Sequence, residues 1–237
     1  MSRLIKSIAL VALTLTGLGA TPAASRDRPP ERSRANPGRV IADEIAFARL
    51  AQQKGQWTAF RTMAAPTAEM FTPRRVKAAD WLKNRADPAQ AVRWQPHAAW
   101  SSCDGSIAVT HGAWQSGSAA NPVTGYFTTV WERQRNGRYK WLLDHTDMLP
   151  MPIDAPEMII AKVAECSGTP GVPLAAPALG EDMKQGISFD QTLLFTSAVA
   201  PDGGRTVTIR LWNGTAHDVV LQETVTAPEP GQTPAGQ

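Results

Sequence analysis

The dipeptide Asn136-Gly137, flanked by two apolar segments, constrains the fold more than any other feature of this sequence. The surrounding segment reads GYFTTVWERQRNGRYKWLLDHTDM. Asn and Gly both tolerate positive φ angles, and between two strand-like segments they favour a β-hairpin with a two-residue loop. The sequence therefore predicts a hairpin in which Arg135 pairs with Arg138.

This hairpin register also predicts which side chains share a face of the sheet. Trp131 would lie opposite Leu142, and Thr129 opposite Asp144. Because side chains alternate along a strand, Asp144 and His145 point to opposite faces unless a bulge intervenes. One face would carry Phe127, Thr129, Trp131, Leu142 and Asp144. The other would carry Tyr126, Thr128, Val130, Glu132, Trp141, Leu143 and His145.

Helical patterns precede the strand patterns along the chain. From Val40 to Gly55 the apolar residues have helical spacing, with a predicted stripe of Ile41, Ile45 and Ala48 and a neighbouring stripe of Phe47 and Leu50. Two short helices, around WTAFRTM and VKAADWLKN, and a short strand in AEMFTP follow. After Pro88 the apolar residues alternate in three or four strands. Helices followed by an antiparallel sheet predict an α+β fold with the helices on one face of a curved sheet.

Residues 1–25 have the order of a secretory signal peptide. Arg3 and Lys6 precede the uncharged segment SIALVALTLTGLGA, and small residues follow it. The apolar segment is shorter than the roughly 20 residues that span a bilayer, although an uncleaved anchor is the alternative. We therefore expect a periplasmic or secreted protein without a stable membrane anchor.

Residues 26–38, RDRPPERSRANPG, are charged and rich in proline and predict a disordered linker. Much of the net charge of +3 lies in the signal segment and this linker. The remaining chain is close to neutral and has no basic patch of the kind that binds nucleic acid.

Residues 151–227 read as a β-rich C-terminal extension, followed by a polar tail at residues 228–237. In this extension PEMIIAKVAEC is compatible with a short helix, and ISFDQTLLFTSAVA, RTVTIRLWNG and HDVVLQETVTA with strands. The chain has two cysteines, Cys103 and Cys166. In an exported protein they either form one disulfide or remain free buried thiols.

The segments WTAFRTMAAPTAEMF, AADWL and GYFTTVWERQRNGRYKWLLD resemble the NTF2-like superfamily, in particular its SnoaL-like and DUF4440 branch. The resemblance covers residues 39–150. Its recurrent positions correspond here to Trp131, Gly137, Trp141 and Asp144. It implies a cone-shaped domain with a pocket between the helices and the concave face of the sheet, and often a homodimer through the outer face.

By this resemblance Trp131 and Asp144 face the pocket. Burial of Asp144 among aromatic rings would raise its pKa and suit it to general acid or base chemistry. His111, on the neighbouring strand, would assist as a proton donor or acceptor. Both residues have ordinary structural alternatives, a strand-end acid and a half-buried histidine. The expected pocket-lining residues are Trp131, Tyr126, Trp114, Trp94 and Phe60.

Two functions remain open at this point, and a third possibility is that the appended strands at residues 155–237 make the whole an envelope-interaction protein. The first is a non-catalytic exported module that binds a small apolar molecule or a partner in a Trp-rich pocket. The second is a cofactor-independent lyase, isomerase or hydrolase that acts on a hydrophobic carbonyl compound through Asp144 and His111. The sequence contains no nucleotide-binding fingerprint, and its four histidines are spread without a zinc-site spacing. We therefore expect neither a cofactor nor a metal.

Overall fold

The computed structural model describes residues 35–118, 120–171 and 182–227. The expected signal peptide at residues 1–25, residues 26–34 of the expected linker and the tail at 228–237 lie outside the described residues. The first helix begins at Pro37, inside the segment expected to be linker. Proline is well tolerated there because the first turn of a helix needs no backbone N–H donor.

Three helices form the first part of the fold: α1 (Pro37–Lys54), α2 (Gln56–Met63) and α3 (Ala78–Leu82). Gly55 separates α1 from α2 with a φ of 103°, a conformation that glycine adopts without a steric penalty. In the described residues, no helix is long and apolar enough to cross a membrane.

The buried stripe of α1 differs from the predicted one. Of the main predicted stripe, Ile41, Ile45 and Ala48, Ile45 is 41 % exposed, whereas Phe47 of the neighbouring stripe is buried. The helix is rotated so that two acidic residues enter the interior. Side chains of the sheet donate to Glu44, and the Arg138 guanidinium and the backbone N–H of Tyr139 donate to Asp43. The buried residues of α1 are Val40, Asp43, Glu44, Phe47 and Ala51.

Seven strands form the first sheet. They are β1 (Ala64–Phe71), β2 (Arg75–Lys77), β3 (Arg93–Ser101), β4 (Ile107–Ser118), β5 (Asn121–Arg133), β6 (Tyr139–Leu149) and β7 (Ile160–Val163). Their order is β2-β1-β6-β5-β4-β3-β7. The central strands β3 to β6 are antiparallel, as predicted. The whole sheet is mixed, because β1 pairs with β6, and β7 with β3, in parallel.

Four strands of the C-terminal extension form a second, antiparallel sheet. They are β8 (Asp182–Ile187), β9 (Leu193–Val199), β10 (Arg205–Trp212) and β11 (His217–Val225), in the order β11-β10-β9-β8. The predicted architecture, with early helices packed on a sheet and a β-rich C-terminal extension, is confirmed.

Two segments of the extension differ from their predicted structure. The segment PEMIIAKVAEC contributes strand β7 instead of a helix, because the edge of β3 offers backbone partners to this short apolar segment. The segment ISFDQTLLFTSAVA is not one strand. A turn at residues 188–192, in which Gln191 has a φ of 62°, divides it between β8 and β9.

The two faces of the first sheet are covered by different parts of the chain. The helices cover the face that carries Trp131 and Trp141, which we call the helix face. The second sheet covers the opposite face, which carries Val109, Val130 and Leu143 and which we call the outer face. The outer face is the surface through which the resemblance implied a homodimer. In this structure the chain's own second sheet occupies it, so a dimer would need another surface.

Two loops join the sheets at one corner of the molecule. Cys103 and Cys166 form a disulfide, so the structure contains the first of the two states that the sequence left open. Next to it, the backbone N–H of Asp104 donates to the carboxylate of Asp190 at 2.7 Å, and that of Asp190 donates back to Asp104 at 3.2 Å. This reciprocal pair fixes the loop before β4 against the turn between β8 and β9.

Candidate functional site

The predicted hairpin is present, but its loop is one residue longer than expected. The backbone N–H of Gln134 donates to the carbonyl of Arg138, the N–H of Gly137 donates to the carbonyl of Gln134, and Gly137 has a φ of 78°. The prediction that Arg135 pairs with Arg138 is therefore wrong. A three-residue loop with a left-handed glycine at its last position replaces the two-residue loop.

A bulge in β6 restores the predicted pairing further from the loop. Trp131 lies opposite Trp141 rather than Leu142, and Leu142 is left without a partner across the strand. Beyond this bulge Thr129 lies opposite Asp144, as predicted. The bulge places both tryptophans on the helix face, which explains why each is fully buried.

Asp144 lies on the helix face and is 7 % exposed. The hydroxyl of Thr129 donates to its carboxylate at 3.2 Å. Burial raises the pKa of Asp144 to about 7, against the smaller opposing effect of the hydrogen bond from Thr129. The side chain therefore has the protonation behaviour of a group that could exchange a proton near neutral pH.

Glu44 of α1 is a second buried acid on the same face, and sequence reasoning missed it as a site residue. The hydroxyl of Thr110 donates to one of its oxygens at 2.5 Å, and the indole N–H of Trp94 donates to the other at 2.6 Å. Burial raises its pKa to about 7, while these hydrogen bonds oppose the rise and the charge of Asp144 adds to it. The signal in the sequence is the helical spacing of Val40, Glu44 and Phe47.

Aromatic rings between the helices and the sheet pack against one another. Phe47 contacts Phe60, Trp94 and Trp131, with ring centroids 4.8, 5.0 and 6.0 Å apart. Phe60 also contacts Trp141 at 5.7 Å. Three of the expected pocket residues, Trp131, Trp94 and Phe60, therefore belong to an interlocked aromatic core at this level of the fold.

His111 lies on the outer face, opposite Thr128 of β5. Its Nδ1 atom lies 3.1 Å from the carboxylate of Glu223, a residue of β11 in the second sheet. His145 approaches the same carboxylate from β6, also through Nδ1 at 3.1 Å. The three residues form a cluster between the sheets, which we call the His–Glu–His cluster.

No pattern in the sequence predicts this cluster. The sequence left open whether the hairpin register sets His111 and His145 on different faces. In the structure both lie opposite Thr128, one from β4 and the other from β6. Glu223 is far from both in the sequence, and only the packing of the second sheet brings it near. Tyr126, another expected pocket residue, also lies on the outer face, and burial raises its pKa.

Asp144 and His111 therefore lie on opposite faces of the first sheet. Asp144 lies under the helices with Thr129, whereas His111 lies under the second sheet with Glu223. The two side chains do not share a cavity, so they cannot act together on one substrate atom.

One end of the helix face is open, since Val123 and Met148 are exposed there, and we call it the open end. Trp114 is the one expected pocket residue at this end. It lies opposite Gly125, which in turn lies opposite Met148. The indole N–H of Trp114 donates to the carbonyl of Tyr126 at 3.0 Å, so the ring lies across β5. A Cβ atom at Gly125 would come within 2.4 Å of this ring. The missing side chain is therefore what lets the indole lie flat on the sheet.

Within the described ranges, no group of three or more His, Cys, Asp and Glu side chains could hold a metal ion. The His–Glu–His cluster is not such a group, because the Nδ1 atoms of both histidines are directed at the carboxylate oxygens of Glu223.

Comparison with known proteins gave matches by structure only. No family model and no curated protein matches the chain. It is similar to a candidate ketosteroid isomerase from Parabacteroides distasonis ATCC 8503, with 15% identity and a TM-score of 0.40 over 51% of this chain and 98% of that chain. An NTF-2-like protein of unknown function from Shewanella oneidensis MR-1 has 16% identity and a TM-score of 0.36, over 44% of this chain and 96% of that chain.

A third solved structure, the CaMKII hub of S. rosetta, has 20% identity and a TM-score of 0.37 over 48% of this chain and 98% of that chain. The chain is similar to NTF2-like proteins. TM-scores of 0.36–0.40 are too low to indicate an activity or a ligand for it.

Proposed function

We propose that this chain is an exported, non-catalytic binding protein that holds an apolar molecule at the open end of its helix face. The observation that carries the proposal is the separation of Asp144 from His111, because it removes the acid–base pair on which the enzymatic alternative rested. Export is supported by the signal-like segment at residues 1–25 and by the Cys103–Cys166 disulfide, which persists in oxidising compartments.

The proposed binding surface is an apolar row formed by Trp114, Val123 and Met148. Val123 and Met148 are 41 % and 42 % exposed, and Trp114 is half-buried, with Gly125 between it and Met148 in the sheet. The hydrogen bond to Tyr126 holds the indole in place before a ligand arrives. A pre-positioned ring loses little conformational entropy on binding, which favours affinity for a flat apolar partner.

The test uses Nile red, a neutral apolar dye, as the probe. We expect saturable fluorescence enhancement with the wild-type protein and at least a fivefold weaker affinity for Trp114→Ala. Phe189→Ala is the matched control, because Phe189 is an exposed ring elsewhere on the surface, 86 % accessible. Native mass spectrometry of protein purified from its own periplasm would report a retained ligand. Equal affinity of wild type and Trp114→Ala would overturn the proposal.

A second candidate function is proton transfer by Asp144 alone, in an isomerase or lyase acting on a hydrophobic carbonyl compound. It is favoured by one observation, the rise of the Asp144 pKa to about 7 through burial. Asp144 would remove the proton between the carbonyl and the alkene of a β,γ-unsaturated cyclohexenone and return it at the far alkene carbon. Isomerisation that is lost in Asp144→Asn but kept in His111→Gln would support this candidate, and no measurable turnover by the wild type would exclude it.

A further inference from the structure

An open groove of about 730 Å³ lies between α2, the start of β1 and the turn after α3. It is separate from the apolar row and from the His–Glu–His cluster. Its lining combines three cationic side chains with small apolar ones and contains no acidic residue. The lining residues are Arg61, Ala64, Ala65, Pro66, Ala79, Leu82, Lys83, Asn84 and Arg85.

A tight turn fixes the backbone that carries two of these cations. Lys83 has φ and ψ angles of −57° and 122°, and Asn84 has a φ of 60°. The backbone N–H of Arg85 donates to the carbonyl of Leu82 at 3.2 Å. These angles and this hydrogen bond define a type II turn, in which asparagine is one of the few residues suited to the third position. Lys83 and Arg85 therefore flank one side of the groove on a defined loop.

Arg61 braces this turn from α2. Its guanidinium donates to the carbonyl of Leu82 at 2.9 Å and to that of Arg85 at 3.0 Å, on either side of the Lys83-Asn84 dipeptide. The same side chain donates to the hydroxyl of Thr58 at 3.0 Å. The positive charge of Arg61 thus stays at the groove while its hydrogen bonds hold the loop in shape.

Arg85 is held by stacking. Its guanidinium carbon lies 3.4 Å from the ring centroid of Trp81 and 5.9 Å from that of Trp57. Stacking uses the face of a guanidinium and leaves the N–H donors at its edge free to bind a planar or tetrahedral anion. Lys83 is exposed and adds a mobile point charge.

Two acids lie near this region, Asp80 of α3 and Asp87, against the three cations of the lining, and Asp87 is already engaged. Asp87 accepts from the backbone N–H and the hydroxyl of Thr58, at 2.9 and 2.6 Å, and lies 4.0 Å from Arg61. Within the described part of the chain, neither Lys83 nor Arg85 forms a salt bridge. The groove therefore has a local excess of positive charge beside apolar side chains.

We propose that this groove binds an anionic amphiphile, a phosphate or carboxylate group joined to a short apolar chain. Lys83 and Arg85 bind the anionic group. The apolar chain lies along Ala64, Pro66 and Ala79, of which Pro66 and Ala79 are exposed. The turn and the stacked guanidinium exist before binding, so little ordering cost opposes it.

The test measures binding of hexyl phosphate, used as a monomer in solution, by isothermal titration calorimetry. We expect saturable binding that weakens at least fivefold in Lys83→Gln and in Arg85→Gln and more in the double variant. Lys162→Gln is the matched control, because Lys162 is an exposed lysine on β7, away from the groove. Arg85→Lys keeps the charge but removes the planar fork, and it should fall between the wild type and Arg85→Gln. Thermal melting of each variant shows whether the fold is kept.

Three comparison ligands separate the parts of the proposal. Inorganic phosphate should bind more weakly than hexyl phosphate, because it lacks the apolar chain, and hexanol more weakly, because it lacks the charge. Vesicles of phosphatidylglycerol should bind no more tightly than hexyl phosphate. Equal binding of hexanol and hexyl phosphate, adsorption to vesicles without binding of the monomer, or unchanged binding in a folded Lys83→Gln, Arg85→Gln double variant would each overturn the proposal.

Discussion

The carboxylate of Glu223 lies 3.1 Å from Nδ1 of His145, at the boundary between the two sheets. The same oxygen, Oε2, accepts from the hydroxyl of Thr128 at 2.7 Å, and the other, Oε1, lies 3.1 Å from Nδ1 of His111. Burial alone would raise the pKa of Glu223, but the hydrogen bonds from His111 and His145 outweigh it and lower the pKa to about 2. One side chain of the extension is thus fixed to two strands of the first sheet.

Replacement of Glu223 by glutamine should destabilise the protein. The amide keeps one acceptor oxygen, but its NH₂ group then faces a histidine nitrogen that had donated to a carboxylate. Losing hydrogen bonds to a buried carboxylate, with a donor left unsatisfied, costs about 3 kcal/mol in the free energy of unfolding. Urea denaturation measures this loss, with the exposed Glu157→Gln as control. A loss no larger than that of the control would contradict the role of Glu223 as the link between the sheets.

The contribution of Glu223 should depend on pH in a defined direction. Its pKa is about 2 in the folded chain and 4.5 ordinarily, so it stabilises the fold above pH 4.5 and loses this effect as the pH falls towards 2. Burial also lowers the pKa of His145 below its ordinary 6.5. As the pH falls, His145 therefore binds a proton in the unfolded chain before it does so in the folded chain, and this destabilises the fold in acid. The difference in unfolding free energy between wild type and Glu223→Gln should shrink as the pH is lowered below 4.5. A constant difference would count against this assignment.

Asp144 should have the opposite pH dependence. Its pKa is about 7 in the folded chain and 3.8 ordinarily, so its contribution is fully present below pH 3.8 and is lost as the pH rises through 7. A shift of this size corresponds to roughly 4 kcal/mol. Asp144→Asn keeps an acceptor for Thr129 but does not titrate. The free energy of unfolding of this variant, relative to that of the wild type, should therefore increase as the pH rises from acidic to mildly alkaline. Asp154→Asn, at an exposed position, should show no such gain.

Local patterns were sufficient to predict the order of helices and strands and the central hairpin. The Thr129–Asp144 pairing was predicted correctly although the loop was not. The three-residue loop shifts the register by one, and the bulge at Leu142 shifts it back. A strand-alternation pattern does not reveal such compensating irregularities, because each depends on how Trp131 and Trp141 fit beneath the helices.

Two of the three acids with the largest pKa shifts, Glu44 and Glu223, were not predicted. Glu44 was missed because the buried stripe of α1 was assigned to neighbouring residues, and only the indole of Trp94 and the hydroxyl of Thr110 make its burial favourable. Glu223 was missed because its partners, His111 and His145, lie in a different sheet. No local pattern links residues whose contact depends on the packing of one sheet on another.

Reduction of the disulfide should cost stability without exposing the aromatic core. Cys103 and Cys166 are 63 residues apart, and closing a loop of this length stabilises a fold by about 4 kcal/mol through the entropy of the unfolded chain. The unfolding free energy in urea should fall accordingly with dithiothreitol. A Cys103→Ser, Cys166→Ser double variant should be equally destabilised and insensitive to the reductant. Unchanged stability of the reduced wild type would show that the reciprocal Asp104–Asp190 contact suffices to hold this corner.

Gly125→Ala should separate the packing of the sheet from the binding surface. The added Cβ atom would meet the carbonyl oxygen of Asp147 at 2.0 Å and the indole of Trp114 at 2.4 Å. Because the first of these atoms is backbone, β5 and β6 must move apart, which costs about 1–3 kcal/mol. Gly171→Ala is the matched control, since no atom of the described residues outside its chain neighbours lies within 4 Å of its Cβ position. We expect the Gly125 variant to melt at a lower temperature and to bind Nile red more weakly than the control. If it melts lower yet binds the dye with unchanged affinity, the flat position of Trp114 serves the sheet alone, and the apolar row is not the binding surface.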